Sequence, residues 1–256
     1  MAFSLEVRDS GVGHLRLASG RAGNPLDAAL MSSLSRGLAE ATSRQDVNCL
    51  LISAEGKHFS VGGDLTAFSA AIESGNIAEL IEGNLQNFHA AITALVGCRL
   101  PRVVSVRGAV AGGALAILAA CDYRVGAPST MLVPAFGAIG LPPDTGAGWI
   151  MARAIGADLT RAIFLAGDPL DAEAARSVGL LHSVDADADA KALAVAEKIA
   201  VMGEVARSTS LRLLDAPERT SLGEYLRMEH EVVTRAAADR VFANRVMEFV
   251  KRQGTL

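Results

Sequence analysis

Two short stretches in which apolar and polar residues alternate, FSLEVR at 3–8 and VGHLRLA at 12–18, flank the turn-forming DSG at 9–11. A period of two marks strands with one buried face, so the chain is expected to open on a β-hairpin. After the turn RAGNP, Leu30, Leu34 and Leu38 recur at helical spacing between Leu26 and Ala41, and NCLLIS then reads as a buried strand. From Gly63 to Arg99, Ile77, Leu80, Ile81, Leu85, Phe88, Ile92 and Leu95 recur with a period near 3.6, predicting a mostly helical region with one core face. RVVSVRG, YRVGA and TMLVPA read as further strands, with a helix in GAVAGGALAILAACDYRV (108–125) between the first two. This rhythm of strands and helices predicts an α/β spiral. Beyond about residue 186 the strand signals stop, and DADADAKALAVAEKIAVMG leads into a helical tail. The expected division is a core over residues 1–186 and a helical lid or oligomerisation region over 187–256, with no long flexible linker between them.

Composition narrows the function classes. A chain of 256 residues with net charge −4 and no basic tract offers no footprint for nucleic acid. The run from Gly108 to Cys121 holds about 14 uncharged residues, short of the roughly 20 that a membrane span requires. It therefore reads as a core element, and no membrane partner is expected. Cys49, Cys98 and Cys121 are far apart and lack partners at metal-ligand spacing, so they read as buried thiols and no metal is expected. Charged residues at Glu6, Arg8 and Asp9 break the apolar core that a secretory signal needs, which points to the cytoplasm.

Three segments carry candidate chemistry. In GKHFSVGGDL (56–65) the pair Gly62–Gly63 permits positive φ and lets N–H groups point into a cleft; a tight strand-to-helix turn capped by Asp64 explains it as well. Gly112 and Gly113 stand at the expected start of the next helix. There they admit either a ligand at free N–H groups or close helix packing. In GAIGLPPDTGAGWIMARAIG (137–156), Asp144 is either a helix N-cap with a depressed pKa or, if burial outweighs capping, a proton-transferring carboxyl group.

Taken in order, FSVGGDL, VRGAVAGGALAILAACDYRV, GAIGLPPDTGAG and GDPLDAEAARSVGLLHSV resemble the signature blocks of the crotonase superfamily, also called the enoyl-CoA hydratase/isomerase family. The resemblance covers nearly the whole chain. It implies a crotonase-like spiral of ββα repeats with a C-terminal helical subdomain, assembled as a homotrimer or hexamer. The implied ligand is an acyl-CoA thioester, with coenzyme A as part of the substrate and no separate cofactor. The Gly63 and Gly113 N–H groups would form the oxyanion hole, with Val61, Gly62, Asp64, Leu65 and Gly112 around it. Asn24 and Leu26 match the coenzyme-contacting loop, here two residues shorter than usual. Lys251 or Arg252 would meet the coenzyme phosphates, though a solvated helix end with cations complementing the dipole explains those two as well.

The pattern breaks at the two hydratase glutamates, which fall on Ala116 and Phe136; neither can move a proton. Asp144 matches the acid/base of some family isomerases, which implies a double-bond shift through a thioester enolate. His89, on a helical strip with Leu85 and Ile92, reads as half-buried by its spacing. By resemblance to haloaryl-CoA dehalogenases it would instead activate water beside a nucleophilic Asp144. A hydratase with displaced acid/base and a non-catalytic acyl-CoA-binding protein remain alternatives.

Overall fold

The computed structural model describes residues 3–216 and 220–253. In chain order the elements are β1 (Phe3–Val7), β2 (Val12–Leu17), α1 (Ala28–Ser43), β3 (Cys49–Ala54), α2 (Leu65–Glu73), α3 (Ile77–Val96), β4 (Arg102–Val106), β5 (Ala109–Ala111), α4 (Ala114–Ala119), β6 (Tyr123–Gly126) and β7 (Met131–Val133). There follow α5 (Ala147–Ile155), α6 (Ala157–Ala166), β8 (Leu170–Asp171), α7 (Ala172–Ser177), β9 (Ser183–Val184), α8 (Ala188–Ala200), α9 (Glu204–Asp215), α10 (Leu222–Ala237) and α11 (Arg240–Gln253).

The main sheet has the order β1-β2-β3-β4-β6-β9, antiparallel at the β1–β2 hairpin and parallel thereafter. All six residues of β3 are buried, as expected of a central strand covered on both faces. Leu50 and Ile52 point into the larger core with α1 and α3, while Cys49 and Leu51 point to the opposite face. A smaller second sheet, β5-β7-β8, is extended by parallel bridges from Val110 to Ser60 and from Gly63 to Leu26. Each early turn of the spiral therefore contributes a main-sheet strand, a shorter stretch in the second layer, and a helix. The run 108–125 divides accordingly. Residues 109–111 are strand in the second sheet, and the helix after them has only six residues.

The boundary expected at 186/187 falls just before α8, yet α8 covers the second face of the main sheet. Ala188, Ala192, Ala196 and Ala200, four residues apart, are buried against Val12, Cys49, Leu51, Val103 and Val125. Small side chains on that stripe let the helix lie close to the strands. No described residue of α9–α11 joins either side of this sandwich, and Phe242, Val246, Phe249 and Val250 of α11 are exposed.

All three cysteines are buried and free; burial pushes the Cys49 and Cys121 thiols up to about 12. No described helix is long and apolar enough to cross a membrane. The alanine stripe yields a direct test. Ala196→Leu forces added methyl groups into a fully packed contact and should cost about 1–3 kcal/mol in denaturant unfolding.

Candidate active site

The second sheet brings two glycine pairs together. Ser60 and its neighbours run parallel to β5, with Ser60 N–H donating to Ala109 O at 3.0 Å and Ala111 N–H donating to Ser60 O at 3.0 Å. The two adjacent stretches end in Gly62–Gly63 and Gly112–Gly113. Gly62 has φ +86° and Gly112 φ +53°, conformations that residues with a Cβ rarely adopt. A Cβ on Gly62 would stand 3.0 Å from Ala111 O, and one on Gly112 would stand 3.9 Å from Gly62 Cα. Gly62 and Gly112 spend their own N–H groups on Ser60 Oγ and Val133 O. The next amides, those of Gly63 and Gly113, have no hydrogen-bond partner among the described residues, and both glycines line one pocket.

Asp144 lines the same pocket, and the reason lies in the backbone beside it. Thr145 has φ +58° and Gly146 φ +76°, so α5 begins only after Gly146, and that glycine occupies the N-cap position. Asp144 is thus two residues outside the cap, and its carboxyl group does not cap the helix. The capping expectation fails because a positive φ at a β-branched residue could not be read from PPDTG. Such a conformation costs about 1–3 kcal/mol. The Thr145 hydroxyl donates to the Asp144 carbonyl at 2.6 Å, and Thr145 Cγ2 would lie 3.1 Å from a Cβ on Gly113. Thr145 therefore links the carboxyl-bearing turn to the second glycine pair.

Desolvation raises the Asp144 pKa, partly offset by the Thr145 side chain and by the charge of His89. Its surroundings explain the direction, since Leu26, Phe88, Phe136, Ile139 and Leu141 supply apolar wall and Asp144 is, among the described residues, the only ionisable one lining the pocket. An apolar pocket with two unpaired amides and one raised carboxyl group is suited to holding a developing oxyanion while a proton moves beside it.

Comparison with known proteins gives the lineage. The family model for enoyl-CoA hydratase/isomerase matches residues 7–254. The chain belongs to the enoyl-CoA hydratase/isomerase family. It is 33% identical over 177 residues to the trans-2-decenoyl-[acyl-carrier-protein] isomerase of Streptococcus mutans, a match spanning 69% of this chain and 66% of that protein. It is 31% identical over 173 residues to a Mycobacterium tuberculosis protein provisionally named an enoyl-CoA hydratase, spanning 68% of this chain and 66% of that one. The matched part thus amounts to just under two thirds of each relative's length. A provisionally named enoyl-CoA hydratase/isomerase from Mycobacterium abscessus superposes with a TM-score of 0.91 at 29% identity, covering 98% of this chain and 97% of that one.

Within this family member the remaining candidates fall into three groups. Leu26, Val61, Leu65 and Phe136 line the pocket with the glycines and Asp144. Asn24 and Asp64 are adjacent but occupied. The Asn24 amide donates to Glu55 O at 2.8 Å and His58 O at 3.1 Å, while its oxygen accepts from Ser19. Asn24 therefore shapes the loop before Gly62 and does not reach the pocket. Asp64 caps α2 by accepting from Ala67 N–H and pairs with Arg21. Burial alone would raise its pKa, but the Ala67 and Thr66 N–H groups and the Arg21 guanidinium together hold it below the usual value.

Ala116, His89 and Lys251 lie outside the pocket wall. Ala116 is wholly buried inside α4. His89 is exposed, because α3 turns Ile81, Asn84, Leu85 and Phe88 to the pocket and residue 89 falls about 100° beyond Phe88 on the helix. Its half-buried expectation is corrected accordingly. Lys251 and Arg252 are exposed on α11. Other histidines hold backbone: His58 Nδ1 accepts from Ala109 N–H at 2.9 Å and His182 Nδ1 from Arg124 N–H at 3.0 Å. Phe88, like Phe136, falls by resemblance where haloaryl-CoA dehalogenases carry a tryptophan at the ring, and it lines the pocket. Asn84 and Thr145 carry no motif signal, and only the helical period of α3 points to Asn84.

Two predictions follow from this geometry. A Cβ on Gly113 would stand 2.8 Å from Phe88 Cζ, so Gly113→Ala should displace the amide and lower steady-state turnover at least tenfold, by loss of part of an oxyanion contact. Asp144 is more easily protonated in the folded chain than in the unfolded one, so it costs stability as pH rises through the window between those two pKa values. Asp144→Asn should raise the melting temperature at pH 7, with the gain vanishing below the ordinary carboxylate range; thermal unfolding across a pH series checks it.

Proposed function

We propose that this chain shifts the double bond of an enoyl thioester by proton transfer, with Asp144 as the acid/base. The observation that carries the reading is that Asp144, freed from capping, is among the described residues the only ionisable one lining the pocket to which Gly63 and Gly113, with unpaired amides, also contribute. With the thioester carbonyl oxygen on those amides, the acidity of the neighbouring carbon rises. The Asp144 carboxylate takes a proton from carbon two or four of the acyl chain. The electron pair enters the conjugated enolate, and the carboxyl group returns the proton at the other carbon as the carbonyl re-forms. One carboxyl group suffices because no water is added.

Hydration would need a second proton-handling group. Ala116 and Phe136 supply none, and Phe136 presents a ring to the pocket. Hydrolytic dehalogenation would need His89 to activate water inside the pocket, whereas α3 presents Phe88 there. The family supports a coenzyme A thioester as substrate, and the isomerase name of the Streptococcus relative supports the direction of chemistry. The exposed apolar residues of α11 suit burial against further copies of the chain, in keeping with a trimer or hexamer.

The test is isomerisation of a 3-enoyl-CoA. Asp144→Asn should lose roughly 10²–10⁴ in kcat with bound-ligand affinity retained. Because the base must be ionised and its pKa is raised, kcat/KM of the parent should fall with decreasing pH at a midpoint above the ordinary aspartate value. Unchanged turnover in Asp144→Asn overturns the assignment. Tight acyl-CoA binding with no turnover in the parent indicates a binding protein, and halide release from a haloaryl-CoA indicates the dehalogenase reaction.

A further inference from the structure

The α3 wall of the pocket is apolar at Ile81, Leu85 and Phe88 and interrupted by one amide, Asn84. Asn84 is half-buried, lines the pocket, and its side chain has no hydrogen-bond partner among the described residues. Its neighbour Asn87 differs: that amide donates to Gly83 O at 2.8 Å along the helix. An unpaired amide in such a wall disfavours a purely hydrocarbon occupant, which displaces its water without replacing the hydrogen bond.

Position limits what Asn84 can touch. Phe88 packs against Gly113, within 2.8 Å of where a Cβ would stand, and so marks the thioester end. Asn84 lies one helical turn, about 6 Å, from Phe88 along α3. At about 1.5 Å per bond that distance passes the carbons that exchange the double bond. The α3 wall beside Asn84, formed by Ile81 and Leu85, suits a hydrocarbon chain better than the amide-rich coenzyme arm.

We propose that Asn84 is a specificity-determining residue that selects acyl thioesters carrying a hydroxyl or carbonyl oxygen several carbons beyond the thioester. The proposal rests on the isomerase reading for its substrate class. The amide N–H donates to that oxygen, and the amide oxygen can accept from a hydroxyl group.

The experiment compares a six-carbon 3-enoyl-CoA with its 6-hydroxy counterpart in the parent, Asn84→Leu and Asn84→Ala, each first checked by circular dichroism. Binding of the two saturated analogues, hexanoyl-CoA and 6-hydroxyhexanoyl-CoA, is measured alongside and needs no turnover. In the parent the hydroxylated chain should be favoured in both kcat/KM and Kd. In Asn84→Leu the ratio should fall roughly tenfold, mainly through improved handling of the plain chain, and Asn84→Ala should shift it in the same direction. An unaltered ratio in both variants overturns the role of Asn84. Discrimination in binding that depends on Asn84, with no turnover of either enoyl compound, supports Asn84 while refuting the isomerase reading.

Discussion

The close approach of two parallel backbone stretches, ending at Gly62–Gly63 and Gly112–Gly113, is the constraint on which the rest of the site depends. With 3.0 Å between a notional Gly62 Cβ and Ala111 O, the first stretch could not carry a side chain there without pressing on the second. Gly62 and Gly112, just before the turning points, spend their amides on Ser60 Oγ and Val133 O. The following N–H groups, on two glycines that line the pocket, are left without a partner among the described residues. Preorganisation of this kind costs nothing at the moment of reaction, because the strands have already been fixed by the sheet.

Around those amides the pocket is nearly free of competing charge. That scarcity does two things to Asp144. It withdraws solvent from the carboxylate and raises its pKa above the ordinary value. It also stores a penalty in the folded state, compounded by the positive φ at Thr145. Strain and desolvation are therefore concentrated within two adjacent residues. The broad core between the main sheet, α1 and α3 supplies the stability that tolerates them.

The loops that aim the glycines are held by side chains that never reach the pocket. Asn24 ties together Ser19, Glu55 and His58, and its own carbonyl accepts from Ser60 Oγ at 2.8 Å. His58 then receives the Ala109 N–H, locking the first glycine stretch to β5. Asn24 tolerates its φ of +49° as asparagine often does. Asn24, which the family resemblance places at the coenzyme, also fastens the strand that carries Gly62.

Periodicity alone established the hairpin, the buried strand NCLLIS, the helical stretch from 63 to 99 and the strands at 102–106, 123–126 and 131–133, because burial of one face writes a period into the residues themselves. The ordered glycine and Pro-Asp blocks were legible as a family pattern for the same reason: positive φ and close approach admit few residue types. What tertiary structure alone decided were relations between segments. The backbone turn at Thr145 and Gly146 released Asp144 from the helix end, and α8 proved to be a layer of the core because its alanines meet strands far away in the chain. The rotation of α3 chose Phe88 and Asn84 over His89, since a one-residue step turns a helical side chain by about 100° and only the packing of α3 sets its starting angle.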